Sequence, residues 1–153
     1  GLLSCGGWIY DSIMEMPLLK KVILIGPDEE AFSRVEPEFK EKVEFLSRER
    51  LLEMEETEVS AFVKNQVGEY PLYISIDKDV LCETDADTNW SQGDMRLSTM
   101  LECLGAVKEK CAERISRILG VDICGECDPD KSMESPKNDH ANKELLWFWK
   151  KWF

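Results

Sequence analysis

The stretch Leu72-Tyr73-Ile74-Ser75-Ile76-Asp77-Lys78-Asp79-Val80-Leu81 constrains this chain more than any other. Its apolar run stops at two carboxylates, the pattern of a buried central strand that delivers acids to a site. Side chains alternate along a strand, so Asp77 and Asp79 are expected on one face and Lys78 on the other. Two like charges at that spacing repel, and a divalent metal between them removes the repulsion. The plainer alternative is that both acids open the next loop, where Asp is a common turn residue.

A length of 153 residues is enough for one domain with a real core. The net charge of −12 leaves no basic stripe for phosphates, which argues against a nucleic-acid partner. It suits an acidic site that takes cations or cationic substrates. No apolar run is long enough to span a bilayer, and Gly1-Leu2-Leu3, without a basic leader or a long apolar core, is not expected to act as a secretory signal. Of the six cysteines, several fall in apolar elements, so reduced thiols and a cytoplasmic location are expected. Cys124 and Cys127 form a CxxC without a second pair to complete a zinc site.

Along the chain, Trp8, Ile9, Ile13 and Met16 give a short helical pattern. Val22-Ile23-Leu24-Ile25 is a buried strand closed by Gly26-Pro27, residues 28–39 read as irregular, and Val43-Glu44-Phe45-Leu46 is a short strand. Residues 48–67 form a helix with Val59, Phe62, Val63 and Val67 on one face. Leu97, Met100, Leu101, Leu104, Val107 and Cys111 mark a second amphipathic helix, with Ser98 or Thr99 as its cap. Ile118 to Ile123 is a strand, and residues 131–142 are a polar loop whose His140 is simply exposed. Leu145, Phe148, Trp149 and Trp152 form a stripe for core or subunit packing rather than a membrane-surface anchor. Alternating strands and helices predict an α/β fold with a mainly parallel sheet and a site at the strands' carboxyl ends, where Asp77, Asp79 and Glu126 all fall.

These residues resemble the ureohydrolase family of arginase, agmatinase and their relatives. Ser75-Ile76-Asp77-Lys78-Asp79 is similar to that family's S-x-D-x-D metal motif. Thr88-Asn89-Trp90-Ser91-Gln92-Gly93 and the helix opening Leu97-Ser98 follow at the family's distance. Gly120-Val121-Asp122-Ile123 and Glu126-Cys127-Asp128-Pro129 are similar to its G-[LM]-D-[IV] and E-x-N-P segments, with one extra residue between the halves. Leu3 to Trp8 would follow its middle metal motif. The chain departs from the family at Leu81-Cys82-Glu83 and at Asn89 to Gln92, which marks a divergent branch.

The resemblance implies a three-layer α/β/α, arginase-like fold in which residues 1–153 are the C-terminal part of a single domain, because the family's first metal histidine and its D-x-H-x-D motif have no counterpart here. It also implies two manganese ions, with Asp77 bridging both and Asp79 holding one. A manganese-bound hydroxide would then cleave a C–N bond of a cationic guanidino or amidino compound. Glu126 would pair with the cationic group, and Thr88 and Asn89 would line the pocket. The segment alone is expected to bind metal weakly and turn over little, and a homo-oligomer is compatible with the family. Two alternatives of other classes stand beside this: a non-catalytic interaction domain, or a thiol-based redox or zinc module on Cys124 and Cys127.

Overall fold

A computed structural model describes residues 7–114, 117–126 and 135–152. In chain order they form α1 (Gly7–Glu15), β1 (Val22–Ile25), α2 (Glu29–Ser33), α3 (Pro37–Lys40), β2 (Val43–Leu46), α4 (Arg48–Glu53), α5 (Glu56–Gln66), β3 (Leu72–Asp77), a 3-10 turn (Lys78–Val80), α6 (Leu97–Arg114), β4 (Ile118–Cys124) and α7 (Pro136–Lys150). The architecture is α/β. Among the described residues β1 pairs with β2 and β3 with β4, both in parallel.

Neither apolar strand is buried on both faces. All four residues of β1 are half-buried. On β3 burial alternates, with Leu72, Ile74 and Ile76 turned inward and Tyr73, Ser75 and Asp77 exposed. The continuous apolar run therefore behaves as a one-sided strand, because elements cover only one face of this pair. Gly26 ends β1 at a φ of 109°, a left-handed conformation that β-branched residues avoid. A side chain there would run into Val80, so the carboxyl end of β1 and the turn after β3 lie against each other.

Two apolar clusters fill the interior. One gathers Ile76, Leu81, Met95, Leu97, Met100, Leu104, Ala141, Leu145 and Trp149; the other packs Leu46 against Val59 and Val63 of α5, Val67 at its C-cap, and Cys103 and Ala106 of α6. Both amphipathic faces read from the sequence are thus core faces. In α1 only Ile13 is buried; Trp8, and Met16 just past the helix, are exposed.

Helix boundaries differ from expectation where capping chemistry intervenes. Residues 48–67 split in two: Ser47 Oγ accepts from Arg50 N–H at 3.2 Å to start α4, and an extended Met54 ends it. Glu58 Oε2 then accepts from Glu55 N–H at 2.9 Å and starts α5. The acidic segment from residue 28 to 39 holds α2, capped by Asp28, and α3, with Pro37 in its first turn.

Helix α6 begins at Leu97, before either expected cap. Asp85 Oδ2 takes the Leu97 N–H at 2.8 Å, a remote carboxylate on a helix N-terminus, and Ser98 Oγ instead donates to Glu56 Oε1 at 2.9 Å. Residues 136–142, read as loop, are the first two turns of α7. Ser135 Oγ accepts from Asn138 N–H at 3.2 Å and Pro136 occupies the first helical position. His140 lies exposed on that helix.

The stripe on α7 packs as expected. Leu145 is fully buried and Trp149 nearly so, while Trp147 on the opposite side is exposed. Trp149 stacks on Trp152 with centroids 5.1 Å apart, and Lys108 of α6 reaches within 5.5 Å of the Trp152 centroid. Leu145→Ala is expected to lower stability by about 2–5 kcal/mol in urea melts, whereas Trp147→Ala changes it by less than about 0.5 kcal/mol. Similar losses for the two would contradict this docking of α7.

Candidate metal centre

Strand β3 stops at Asp77 because the chain turns there rather than continuing. Asp77 Oδ1 accepts the Asp79 N–H at 3.0 Å and so caps the 3-10 turn. The expected strand alternation therefore ends at Asp77, and the turn sets the later directions. Asp77 is exposed and Asp79 half-buried. Lys78, between them, points inward and is completely buried.

Asp79 is held from both ends. Its Oδ1 accepts the Thr88 hydroxyl at 2.6 Å, and its carbonyl accepts Gly93 N–H at 2.8 Å. Oδ2 of Asp77 and Oδ2 of Asp79 carry no hydrogen bond among the described residues. Two carboxylate oxygens on one tight turn suit a hard divalent ion. Among the described residues, however, no group of three or more His, Cys, Asp or Glu side chains is arranged to hold a metal. The pair supplies part of a coordination sphere, not all of it.

Beneath the turn, Lys78 Nζ donates to Glu126 Oε1 and, at 2.7 Å, to Asn142 Oδ1. Asn142 Nδ2 donates to the same Glu126 oxygen at 2.8 Å. This triangle ties the end of β3, the residue beyond β4 and helix α7 together. Burial resists ionisation of Glu126 and is the largest single influence on it. The hydrogen bonds from Lys78 and Asn142 and the ammonium charge together outweigh that influence, so the carboxyl titrates below its ordinary range.

Gly125 makes the close approach possible. Its φ is 82°, and a Cβ there would lie 2.7 Å from Asp77 Oδ1 and from Lys78 N, and 2.8 Å from Asp79 N. Cys124 is the ladder partner of Asp77. Burial first, then the negative charges of Asp77, Asp122 and Asp79, push its thiol upward, which disfavours a thiolate. Cys103 is pushed by burial to about 12. Cys5, Cys127 and the Asp128-Pro129 continuation lie outside the described residues.

The loop after the turn is clamped to α7. Ser135 Oγ donates to Asp87 Oδ2 at 2.7 Å and Lys137 Nζ to Asp87 Oδ1 at 2.9 Å, which hold the Asp87 carboxyl below the ordinary range. Asp87 N–H donates to Asn138 Oδ1 at 2.8 Å. Within this loop Thr88 is half-buried against Asp79, and Asn89 is exposed.

The structure thus brings Asp77, Asp79 and Thr88 together and sets Glu126 beneath them on Lys78; Asn89 makes no hydrogen bond among the described residues. Sequence reasoning missed Lys78, Asn142 and Asp122. Asp122 accepts the Ser75 hydroxyl at 2.8 Å, and its carboxylate near the Tyr73 phenol raises that phenol's titration. The β3–β4 register, which sets Asp77 opposite Cys124, is the signal that would have placed Lys78 near Glu126.

No family profile matches the sequence, and no solved structure matches it. A protein of Thermotoga maritima described as "Uncharacterized protein" is 30% identical over 144 residues, which cover 94% of this chain and 49% of that protein. The chain spans about half the length of that relative. No helix among the described residues is long and apolar enough to cross a membrane.

The depressed Glu126 value fixes the sign of a pH effect. The carboxyl ionises more readily in the folded chain than at its ordinary 4.5, so the stabilisation is complete above that value and is lost as pH falls through the folded one. Glu126→Gln is expected to cost about 1–3 kcal/mol at about pH 7 in urea melts, and less at a pH well below the ordinary 4.5. An equal gap at both would contradict the ion pair.

Proposed function

We propose that this chain carries the carboxylate part of a manganese-dependent hydrolase of the ureohydrolase type, acting on a C–N bond of a guanidino or amidino compound. One observation carries the reading: Asp77 and Asp79 share a tight turn at the carboxyl end of a parallel strand, each with Oδ1 tied and Oδ2 available. The three-layer, arginase-like frame is part of the proposal, with these residues as its C-terminal part. A relative about twice as long leaves room for the ligands that the described residues lack.

In this reading Asp77 and Asp79 hold the metal, and manganese supplies an activated water for hydrolysis at neutral pH. Thr88 fixes the Asp79 carboxylate, and Asn89 lies in the same loop at the site's rim. Glu126 supports the turn from below through Lys78, with one oxygen already used. The reduced thiols fit a cytoplasmic protein.

A second reading, a non-catalytic interaction domain, draws support from that commitment of Glu126 to an internal ammonium. Manganese titration separates the two. The protein carrying this chain is expected to bind Mn²⁺, followed by electron paramagnetic resonance, with Asp77→Ala or Asp79→Ala each weakening it by roughly tenfold or more. The isolated 153 residues are expected to bind more weakly and to show little turnover. Absence of manganese binding, or binding indifferent to both substitutions, would favour the interaction domain.

A further inference from the structure

We propose that helix α7 positions the Asp77–Asp79 site through Asn138 and Asn142, each of which holds one of the two chain segments that fix Asp79; this rests on the reading of the site given above. The buried face of α7 is otherwise apolar, running through Ala141, Leu145 and Trp149, and Asn138 opens it at 4% exposure. An amide buried there needs defined partners. Both of its groups close on the backbone of one residue. Asp87 N–H donates to Asn138 Oδ1 at 2.8 Å, and Asn138 Nδ2 donates to the Asp87 carbonyl at 3.0 Å. The next residue, Thr88, donates its hydroxyl to Asp79 Oδ1 at 2.6 Å. Asn138 thus governs the Asp79 carboxylate through the loop.

Asn142 lies four positions on, one turn along the same side of the helix. Its Oδ1 accepts from Lys78 Nζ at 2.7 Å, and its Nδ2 donates to Glu126 Oε1 at 2.8 Å. Lys78 stands between Asp77 and Asp79 in the chain and is completely buried, so its ammonium has no water to replace a lost partner. Asn142 thus governs the 3-10 turn from within.

Seating the helix does not account for these two residues. Leu145 and Trp149 already bury α7 in the core. Asparagine is a weak helix former, and an apolar side chain would serve a face that only needed packing. What the pair adds is two independent routes from one rigid element to one residue, Asp79. Such a shell holds a ligating carboxylate in the geometry a metal requires.

The test compares wild type with Asn138→Ala, Asn142→Ala and Val63→Ala, the last opening a cavity in the cluster that α7 does not enter. Amide exchange under native conditions, followed by NMR, reads the turn at Asp79 N–H, held by Asp77 Oδ1, and at Gly93 N–H, held by the Asp79 carbonyl. Mn²⁺ affinity is measured on the same proteins by electron paramagnetic resonance. Both asparagine variants are expected to speed exchange at these amides by about fivefold or more and to weaken Mn²⁺ by about the same factor. Val63→Ala lowers global stability yet is expected to leave both readouts within about twofold of wild type. Should Asn138→Ala not fold, Asn142→Ala, at a half-buried position, decides alone. Wild-type exchange in the asparagine variants overturns the assignment, and so does Val63→Ala matching them. Unchanged Mn²⁺ affinity in these variants, where the wild type binds the ion, overturns it too. If the wild type binds no manganese, the metal reading fails, while faster exchange in the asparagine variants alone sustains the positioning role of α7.

Discussion

The ammonium of Lys78, wholly out of water, is the interaction on which the site depends. A buried charge is tolerated only where a counter-charge and further hydrogen bonds replace the lost hydration. Glu126 and Asn142 supply both, and each comes from a different element. Because Lys78 opens the turn that carries Asp79, this requirement locks the end of β3, the chain beyond β4 and α7 into one arrangement. Gly125 then lets the two chain segments meet at a distance that no side chain would allow.

That arrangement is polar on both sides of a single turn. Outward, Asp77 and Asp79 present carboxylate oxygens; inward, the ammonium satisfies Glu126. The loop from residue 82 to 95 adds a third constraint, since Asp85 caps α6 while Asp87 grips the start of α7. Acids that a charge count treats as one solvated excess thus divide into distinct structural tasks. Glu126, Asp85 and Asp87 tie elements to one another, while Asp77 and Asp79 shape the turn through Oδ1.

Much of this was legible in the sequence, for identifiable reasons. β2, β4 and α6 show apolar residues at strand or helix spacing, and that periodicity survives folding because it is the packing requirement itself. The start of α7 was missed although Ser135-Pro136 is a helix-opening pair, because the polar composition around His140 masked it. The cap of α6 was out of reach, since Asp85 lies 12 positions away and local rules see only neighbours. Asp77 and Asp79 were legible as a pair at a strand end. Their geometry was not, because a 3-10 turn replaced the strand. Lys78 was the deepest miss: a lysine between two aspartates looks solvent-facing until the register of β4 brings Glu126 beneath it.

If the turn at the end of β3 is built to grip a metal, manganese should be visible there directly. Anomalous diffraction at the manganese edge, from crystals of the protein grown with Mn²⁺, measures this without reference to any activity. The account expects a peak about 2.0–2.3 Å from a carboxylate oxygen of both Asp77 and Asp79, with the Lys78–Glu126 pair intact beneath. A strong peak elsewhere, or none near these two residues at saturating manganese, would contradict it.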